Sequence, residues 1–141
     1  MTTVLAHGTF DLLHLGHVRF LEAAKLLRDR LIVSITDDLY VNKKKGHGRP
    51  IFTAQQRKEM LLALHCVDGV MIIREATGVS AIAMLRPEIY AKGMDYADVA
   101  DEVLNMEERE VIHHGGRTIF IPCGDKFSST DLLERLQNVV G

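Results

Sequence analysis

The chain has 141 residues, 47% of them hydrophobic, and a formal net charge of −2, values typical of one folded domain, here residues 1–141, with a single core. The near-neutral charge excludes a general electrostatic surface for nucleic acid, so any phosphate binding has to be local. No apolar run approaches the roughly 20 residues of a membrane span, and Cys66 and Cys123 have neither CxxC spacing nor a secretory leader ahead of them, so we expect a cytoplasmic protein with no disulfide and no membrane partner.

Short apolar runs alternate along the chain with longer segments of helical periodicity, which is typical of strand and helix units around a parallel sheet. The predicted strands, in chain order, are Thr3–Ala6, Leu31–Ile35, Gly69–Ile73, Ile89–Ala91 and Thr118–Ile121. The predicted helices are His17–Leu27, a helix that begins after Thr53, Val79–Leu85, Val99–His113 and Ser129–Val139. The sequence therefore predicts an α/β fold: a Rossmann-like, doubly wound sheet of about five parallel strands with helices on both faces.

The most informative segment follows the first strand and reads His-Gly-Thr-Phe-Asp-Leu-Leu-His-Leu-Gly-His, residues 7–17. Ligands of parallel sheets bind beyond the carboxyl ends of the strands, where a helix that begins there directs unpaired N–H groups at an anion. The spacing of three places the imidazoles of His14 and His17 on one side of the emerging helix, and Gly16 between them lets a bulky group approach the backbone. Two donors that converge on phosphate suit in-line displacement at phosphorus.

The histidine pair has two alternative interpretations, a helix cap beside a surface residue and a zinc site. A lone HxxH is most often a helix cap beside a surface residue, but the flanking Gly-Thr-Phe-Asp, the strand before it and the amphipathic helix after it make this segment more specific. Neutral imidazoles also bind zinc, yet a catalytic zinc site needs three protein ligands. His113 and His114 are the candidates for a third, and adjacent residues of a helix diverge. We therefore expect no metal site formed by side chains.

One long polar connection, Asp37 to Pro50, interrupts the alternation of strands and helices. It contains three consecutive lysines, Lys43–Lys45, and a loop of this length is more often functional than decorative. A mobile loop of ammonium groups could close over a triphosphate and an acceptor phosphate, and a solvated basic surface is the alternative. The next helix is signalled by Thr53-Ala-Gln-Gln, the form of a capping box.

Two common nucleotide-binding motifs are missing from the sequence. No GxGxxG follows the first strand, which argues against a dinucleotide-dependent oxidoreductase. There is also no GxxxxGK[ST], which argues against a P-loop NTPase.

Residues 7–17 closely resemble the HxGH signature of the cytidylyltransferase-like nucleotidyltransferases, and the resemblance spans almost the whole chain. Three more segments match that family: the lysines with the helix-borne Arg57, the segment Lys92-Gly-Met-Asp-Tyr96, and Phe127-Ser-Ser-Thr130 before the last helix. The resemblance implies catalytic roles for His14, His17 and Lys44. It implies nucleotide binding, or ordering of the binding loop, for Gly8, Thr9, Phe10, Asp11, Gly16, Lys45, Arg57, Lys92, Gly93, Asp95, Tyr96, Phe127, Ser128, Ser129 and Thr130.

One departure separates the branches of that family. Glycerol-3-phosphate cytidylyltransferases carry Arg-Thr-Glu-Gly-Ile before the terminal hydroxyls, whereas residues 123–127 here contain no arginine, and Lys126 cannot reproduce a bidentate guanidinium contact. The Lys-Gly-x-Asp-Tyr segment, the Gly46–Pro50 loop ending and the Gly115-Gly116 turn look more like the heptose-phosphate adenylyltransferase branch of the bacterial ADP-heptose synthase.

The resemblance implies transfer of a nucleotidyl group from ATP or CTP to a phosphorylated small molecule such as heptose 1-phosphate. Pyrophosphate would be released and Mg²⁺ would accompany the triphosphate. This is a reaction of cell-envelope carbohydrate biosynthesis, and the resemblance implies a homodimer. Glycerol 3-phosphate as acceptor is one alternative, and a nucleotide-sensing module without turnover is another.

Overall fold

A computed structural model describes residues 1–93, 102–122 and 134–138 of the chain. Its strands are β1 (Thr3–Gly8), β2 (Arg30–Thr36), β3 (Gly69–Ile73), β4 (Ile89–Gly93) and β5 (Arg117–Ile121). Its helices are α1 (Leu15–Lys25), α2 (Asp38–Lys45), α3 (Ala54–Leu62), α4 (Val79–Leu85) and α5 (Glu102–His113). Residues 134–138 are also helical.

The five strands form one parallel sheet in the order β3-β2-β1-β4-β5. The chain builds the sheet outward from β1 to β3 and then returns to the other side of β1 to add β4 and β5. The direction of winding therefore reverses between β1 and β4. Sheets of this type bind their ligands in the crevice beyond the carboxyl ends of the strands at such a point. The predicted Rossmann-like, doubly wound fold is confirmed.

Alternate residues of the central strands supply the cores on the two faces of the sheet. Val4 and Ala6 belong to a cluster that includes buried residues of α1 and α3, whereas Leu5 belongs to a cluster with buried residues of α4 and α5. The helices thus lie in two layers.

Most predicted elements are confirmed, with small shifts at their ends. Each of the five strands matches its predicted range or extends it by one or two residues. Helix α1 begins at Leu15 rather than His17, because His14 has extended backbone angles and occupies the N-cap. The predicted capping box is present before α3: the Thr53 hydroxyl accepts from the Gln56 N–H (3.2 Å), and the Gln56 side chain accepts from the Thr53 N–H (3.0 Å).

The prediction of a single loop from Asp37 to Pro50 is wrong over most of its length, because Asp38–Lys45 form α2. The Asp37 carboxylate caps this helix by accepting from the Tyr40 N–H (3.2 Å). The positive charges of the lysines in the last turn interact favourably with the negative end of the helix dipole. Gly46, at φ +94°, is the C-cap residue that ends the helix. Only Val41 is buried in α2, so the sequence shows no apolar periodicity there.

Several predictions lie outside the described residues. They concern the first residues of the helix predicted at Val99–His113, most of the helix predicted at Ser129–Val139, and the site residues Asp95, Tyr96, Phe127, Ser128, Ser129 and Thr130. In the described ranges, no helix combines the length and the apolar character that crossing a membrane demands.

Candidate functional site

The candidate site lies at the carboxyl edge of the sheet, where the winding reverses. The histidine segment leaves β1 there, and Lys92 and Gly93 end the neighbouring strand β4. Ala6 pairs with Ala91 in the register, so the residues that follow on the two strands emerge side by side. Two of the segments singled out in the sequence are therefore brought together by the fold.

His14 and His17 form one stacked pair at the start of α1. Their ring centroids are 3.8 Å apart with an interplanar angle of 22°. His14 is the N-cap residue and His17 the third residue of the helix, and the His14 backbone N–H donates to Nδ1 of His17 (3.2 Å). The predicted placement of both imidazoles on one side of the helix start is confirmed. Gly16 lies between them in the first turn.

Both imidazoles are held in the neutral form. The pKa of His17 is lowered to about 4, first by burial and then by repulsion from His14 in its protonated form and from Lys45. Burial also lowers the pKa of His14. Because Nδ1 of neutral His17 accepts the His14 N–H, its proton sits on Nε2. His17 therefore offers a fixed Nε2–H donor rather than an imidazolium.

This protonation state can be measured by an NMR titration of the histidine side chains. We expect the His17 imidazole signals to stay unchanged between about pH 8 and pH 5, because the folded-state pKa lies below that window. The unfolded chain takes up this proton at a higher pH, so folding stability falls as the pH drops from the ordinary histidine pKa toward about 4. Titration of His17 near its ordinary pKa would contradict the buried, neutral assignment.

The Phe10 ring packs against the His17 ring of the histidine pair. Its ring meets the His17 ring edge-on, with centroids 5.1 Å apart, and only 6% of the residue is exposed. Its backbone has φ +52°, a left-handed conformation that costs a bulky residue energy and is typical of functional segments. A Cβ on Gly8 would lie 2.9 Å from the Phe10 ring, so glycine leaves the space that this ring needs. A nucleotide contact by Phe10 would have to come from its backbone.

Asp11 joins the segment between β1 and α1 to the segment that follows α2. Its carboxylate is buried and accepts from the backbone N–H groups of Ile51 and Phe52 (2.5 and 3.2 Å). Arg49 completes the contact by donating to the Asp11 carbonyl oxygen (2.6 Å). Arg49 was not among the predicted site residues, because nothing in the neighbouring sequence shows that the segment after α2 packs against the histidine segment.

Arg57 has a different place from the one expected of a nucleotide ligand. It is 0% exposed, and its guanidinium donates to the carbonyl oxygens of Thr9, Thr36 and Phe52 at 2.8–3.0 Å. A further N–H bonds the carboxylate of Asp38 (2.8 Å). Every nitrogen of the guanidinium is engaged, so this geometry makes Arg57 a positioning residue that ties the histidine segment to β2, α2 and α3.

The charges of Lys44 and Lys45, at the end of α2, act on different histidines. Lys45 lies close enough to His17 for its charge to lower the pKa of that imidazole, whereas the charge of Lys44 acts on His7. The pKa of Lys45 is itself lowered, first by partial burial and then by neighbouring cations. Lys43–Lys45 all lie in the last turn of α2 rather than on a loop. Lys45 is thus the lysine whose charge acts on His17, and the catalytic role of Lys44 stays a prediction.

Lys92 ends β4 in a buried ion pair that the sequence did not reveal. Its side chain is only 15% exposed, and Nζ lies 3.1 Å from Oε1 of Glu107, on α5. Oε2 of Glu107 accepts from the Gly78 N–H (2.7 Å) and the Tyr90 hydroxyl (2.8 Å). Glu107 was missed because one acidic residue on an amphipathic helix is indistinguishable, by sequence, from a solvated one.

His7 connects the loop after β3 to this edge of the sheet through hydrogen bonds. Its Nδ1 lies 2.8 Å from the hydroxyl of Ser34 on β2, and its Nε2 lies 3.2 Å from the carbonyl oxygen of Ala76. Burial lowers its pKa, so it is neutral at neutral pH. The neutral tautomer with the proton on Nε2 satisfies both contacts, since it donates to the carbonyl and accepts from the hydroxyl.

The charges at this edge favour an anionic ligand. Lys45, the N–H groups of the first turn of α1 and the Nε2–H of His17 are donors, whereas the Asp11 carboxylate is already occupied by backbone N–H groups. In the described part of the chain, no group of three or more His, Cys, Asp or Glu side chains is arranged to hold a metal ion.

Comparison with known proteins gives a consistent family. A family model described as cytidylyltransferase-like matches residues 5–135. The bifunctional protein HldE of Coxiella burnetii (strain RSA 493 / Nine Mile phase I) is 40% identical over 137 residues, and that of Streptomyces coelicolor is 41% identical over 135 residues. These matches cover 97% and 95% of the chain but 28% of each relative, so the chain spans little more than a quarter of their length.

Solved structures share the fold. The lipopolysaccharide core biosynthesis protein of Thermoplasma volcanium GSS1 superposes with a TM-score of 0.70 at 25% identity, and the match covers 91% of this chain and 99% of that one. Thermotoga maritima TmcAL, solved with alpha-thio ATP, superposes with a TM-score of 0.69 at 14% identity, covering 99% of this chain and 51% of that one. The second likeness concerns the fold alone.

Proposed function

The chain belongs to the cytidylyltransferase-like family, and from this premise we propose that it is a nucleotidyltransferase that transfers a nucleotidyl group from a nucleoside triphosphate to a phosphorylated small molecule. The observation that carries the proposal is the stacked, neutral pair of His14 and His17 at the N-terminus of α1, at the point where the sheet reverses its winding. A helix start at this position is a general site for phosphate.

The chemistry assigned to this site is in-line attack by the acceptor phosphate on the α-phosphorus, with pyrophosphate leaving on the opposite side. Negative charge grows on the bridging oxygen that departs, and fixed donors stabilise it most effectively when they need no rearrangement. The Nε2–H of His17 is such a donor, held by the bond from the His14 N–H to Nδ1. Lys45 adds positive charge, and Mg²⁺ bound to the triphosphate would neutralise part of the remainder.

The acceptor we propose is heptose 1-phosphate and the donor is ATP. The support is the similarity to proteins named HldE over nearly the whole chain and to a lipopolysaccharide core biosynthesis protein at the level of structure. Glycerol 3-phosphate with CTP is the second candidate from the same family, and a nucleotide sensor without turnover is the candidate of another class. We also propose a cytoplasmic homodimer, by analogy with the family.

A matrix of pyrophosphate-release assays tests this function. The purified chain with Mg²⁺ is combined with each of ATP, CTP, GTP and UTP, and each mixture receives heptose 1-phosphate, glycerol 3-phosphate or no acceptor. We expect pyrophosphate release only when ATP and heptose 1-phosphate are both present. Release with CTP and glycerol 3-phosphate would select the second candidate. Tight nucleotide binding with no release under any combination would favour the sensor.

A further inference from the structure

Glu107 places a carboxylate inside the protein beneath the candidate site. The residue is 1% exposed, although it belongs to a helix whose other acidic side chains are at least partly open to solvent. Its two oxygens have different partners: Oε2 accepts from the neutral donors Gly78 N–H and Tyr90 O–H, and Oε1 faces the ammonium of Lys92 at 3.1 Å. The ionic contact of this carboxylate is therefore with Lys92.

Packing alone does not explain a charge at this position. Removing a carboxylate from water has a free-energy cost comparable to the gain from its attraction to a partner, and an apolar residue would avoid that cost. The neutral contacts to Gly78 and Tyr90 need an oxygen acceptor but no negative charge. What the charge itself provides is a fixed position for the Lys92 ammonium, on a side chain otherwise able to adopt many rotamers.

Lys92 stands at the end of β4 that borders the crevice. Leu5 and Tyr90 pair in the register and pack on the α4 and α5 face, so His7 and Lys92, two residues further along each strand, share that face at the carboxyl edge. The charges of both Glu107 and Lys92 affect the pKa of His7, in opposite directions, which places the ion pair next to the end of β1.

We propose that Glu107 is a positioning residue for nucleotide binding, which acts by holding the Lys92 ammonium at the edge of the crevice. This inference rests on the proposed function and on a contact between Lys92 and the nucleotide, which the family resemblance implies. Glu107 itself touches no substrate. Its effect on the nucleotide is transmitted only through the side chain of Lys92.

The test begins with Glu107→Gln. The amide oxygen of glutamine can still accept from Gly78 and Tyr90, whereas the negative charge that faces Lys92 is lost. We expect the dissociation constant of Mg²⁺ with the non-hydrolysable α,β-methylene ATP, measured by calorimetry, to rise on the order of 10-fold. The Michaelis constant for ATP rises with it, whereas kcat stays within about twofold. The matched control is Tyr90→Phe, which removes one hydrogen bond to the same carboxylate, keeps the ring and leaves nucleotide affinity unchanged.

A cycle with Lys92→Met separates positioning from a structural role. If Glu107 acts through Lys92, then Glu107→Gln has no further effect on nucleotide affinity in the Lys92→Met background. This comparison remains decisive if Glu107→Gln alone fails to fold, because the double variant contains neither buried charge. Wild-type affinity in folded Glu107→Gln, or an equal loss with and without Lys92, would overturn the inference. Absence of nucleotide binding in the wild-type chain would instead contradict the proposed function.

Discussion

Replacement of His17 by alanine is expected to lower kcat for pyrophosphate release by about 100-fold or more, which is the range for loss of one fixed transition-state donor. The reason is the geometry of the first turn of α1. Neutral His17 accepts the His14 N–H at Nδ1 and therefore carries its proton at Nε2, where it can donate to the departing pyrophosphate oxygen. Alanine removes the donor and the stacking partner of His14 together.

Two variants separate this loss from a change in fold. His17→Gln keeps an N–H donor at a similar distance from the backbone and should lose less activity than His17→Ala. His65→Ala, which changes an exposed histidine in the turn after α3, should retain wild-type kcat. Circular dichroism should show the same helix content in all three. Wild-type turnover in folded His17→Ala would remove this imidazole from the mechanism.

Replacement of Arg57 by methionine is expected to lower the free energy of unfolding by about 3–5 kcal/mol, the range for removal of one member of a buried polar network. Methionine fills the volume but leaves the carbonyl oxygens of Thr9 and Thr36 buried without their donor. Those oxygens, rather than the ion pair, account for most of the loss, because the side chain of Asp38 is half exposed and its attraction is screened.

Urea denaturation measures this effect, and Lys58→Met is the matched control. Lys58 is the next residue of α3 and is only partly buried, so its replacement should change the free energy of unfolding by less than about 0.5 kcal/mol. Comparison of Arg57→Met with Lys58→Met also tests whether Arg57 contacts the nucleotide directly. Wild-type stability together with lost nucleotide affinity in Arg57→Met would restore the direct nucleotide contact that the family resemblance implies.

Local sequence patterns predicted the parts of the structure that depend on residues close together in the chain. The five strands are short apolar runs between turn residues, and each is found within two residues of its predicted ends. The capping box at Thr53 and the stacking of His14 on His17 follow from helix geometry, which places residues three apart on one side. Helix α2 escaped prediction because a single buried position, Val41, gives no periodicity.

Local sequence patterns do not predict the surroundings of the basic side chains. Arg57 and Lys92 were both expected at the nucleotide, but the sequence showed neither the carbonyl oxygens that surround Arg57 nor the Glu107 carboxylate that pairs with Lys92. Whether a charged side chain faces solvent depends on residues that are distant in sequence, and a motif cannot show them. The same limit hid Arg49, whose contact with Asp11 joins two segments 38 residues apart.

Apolar periodicity and short-range spacing, which are encoded in consecutive residues, were enough to predict the fold class and the histidine pair at a helix start, and the motifs of residues 7–17 indicated the family by resemblance. Which basic residues are bound to other groups of the protein became visible only in the folded chain. The physical reason is that the energy of a charge depends on the solvent and the counter-charges around it, and in this chain the strand order, with β4 beside β1, brings those surroundings together.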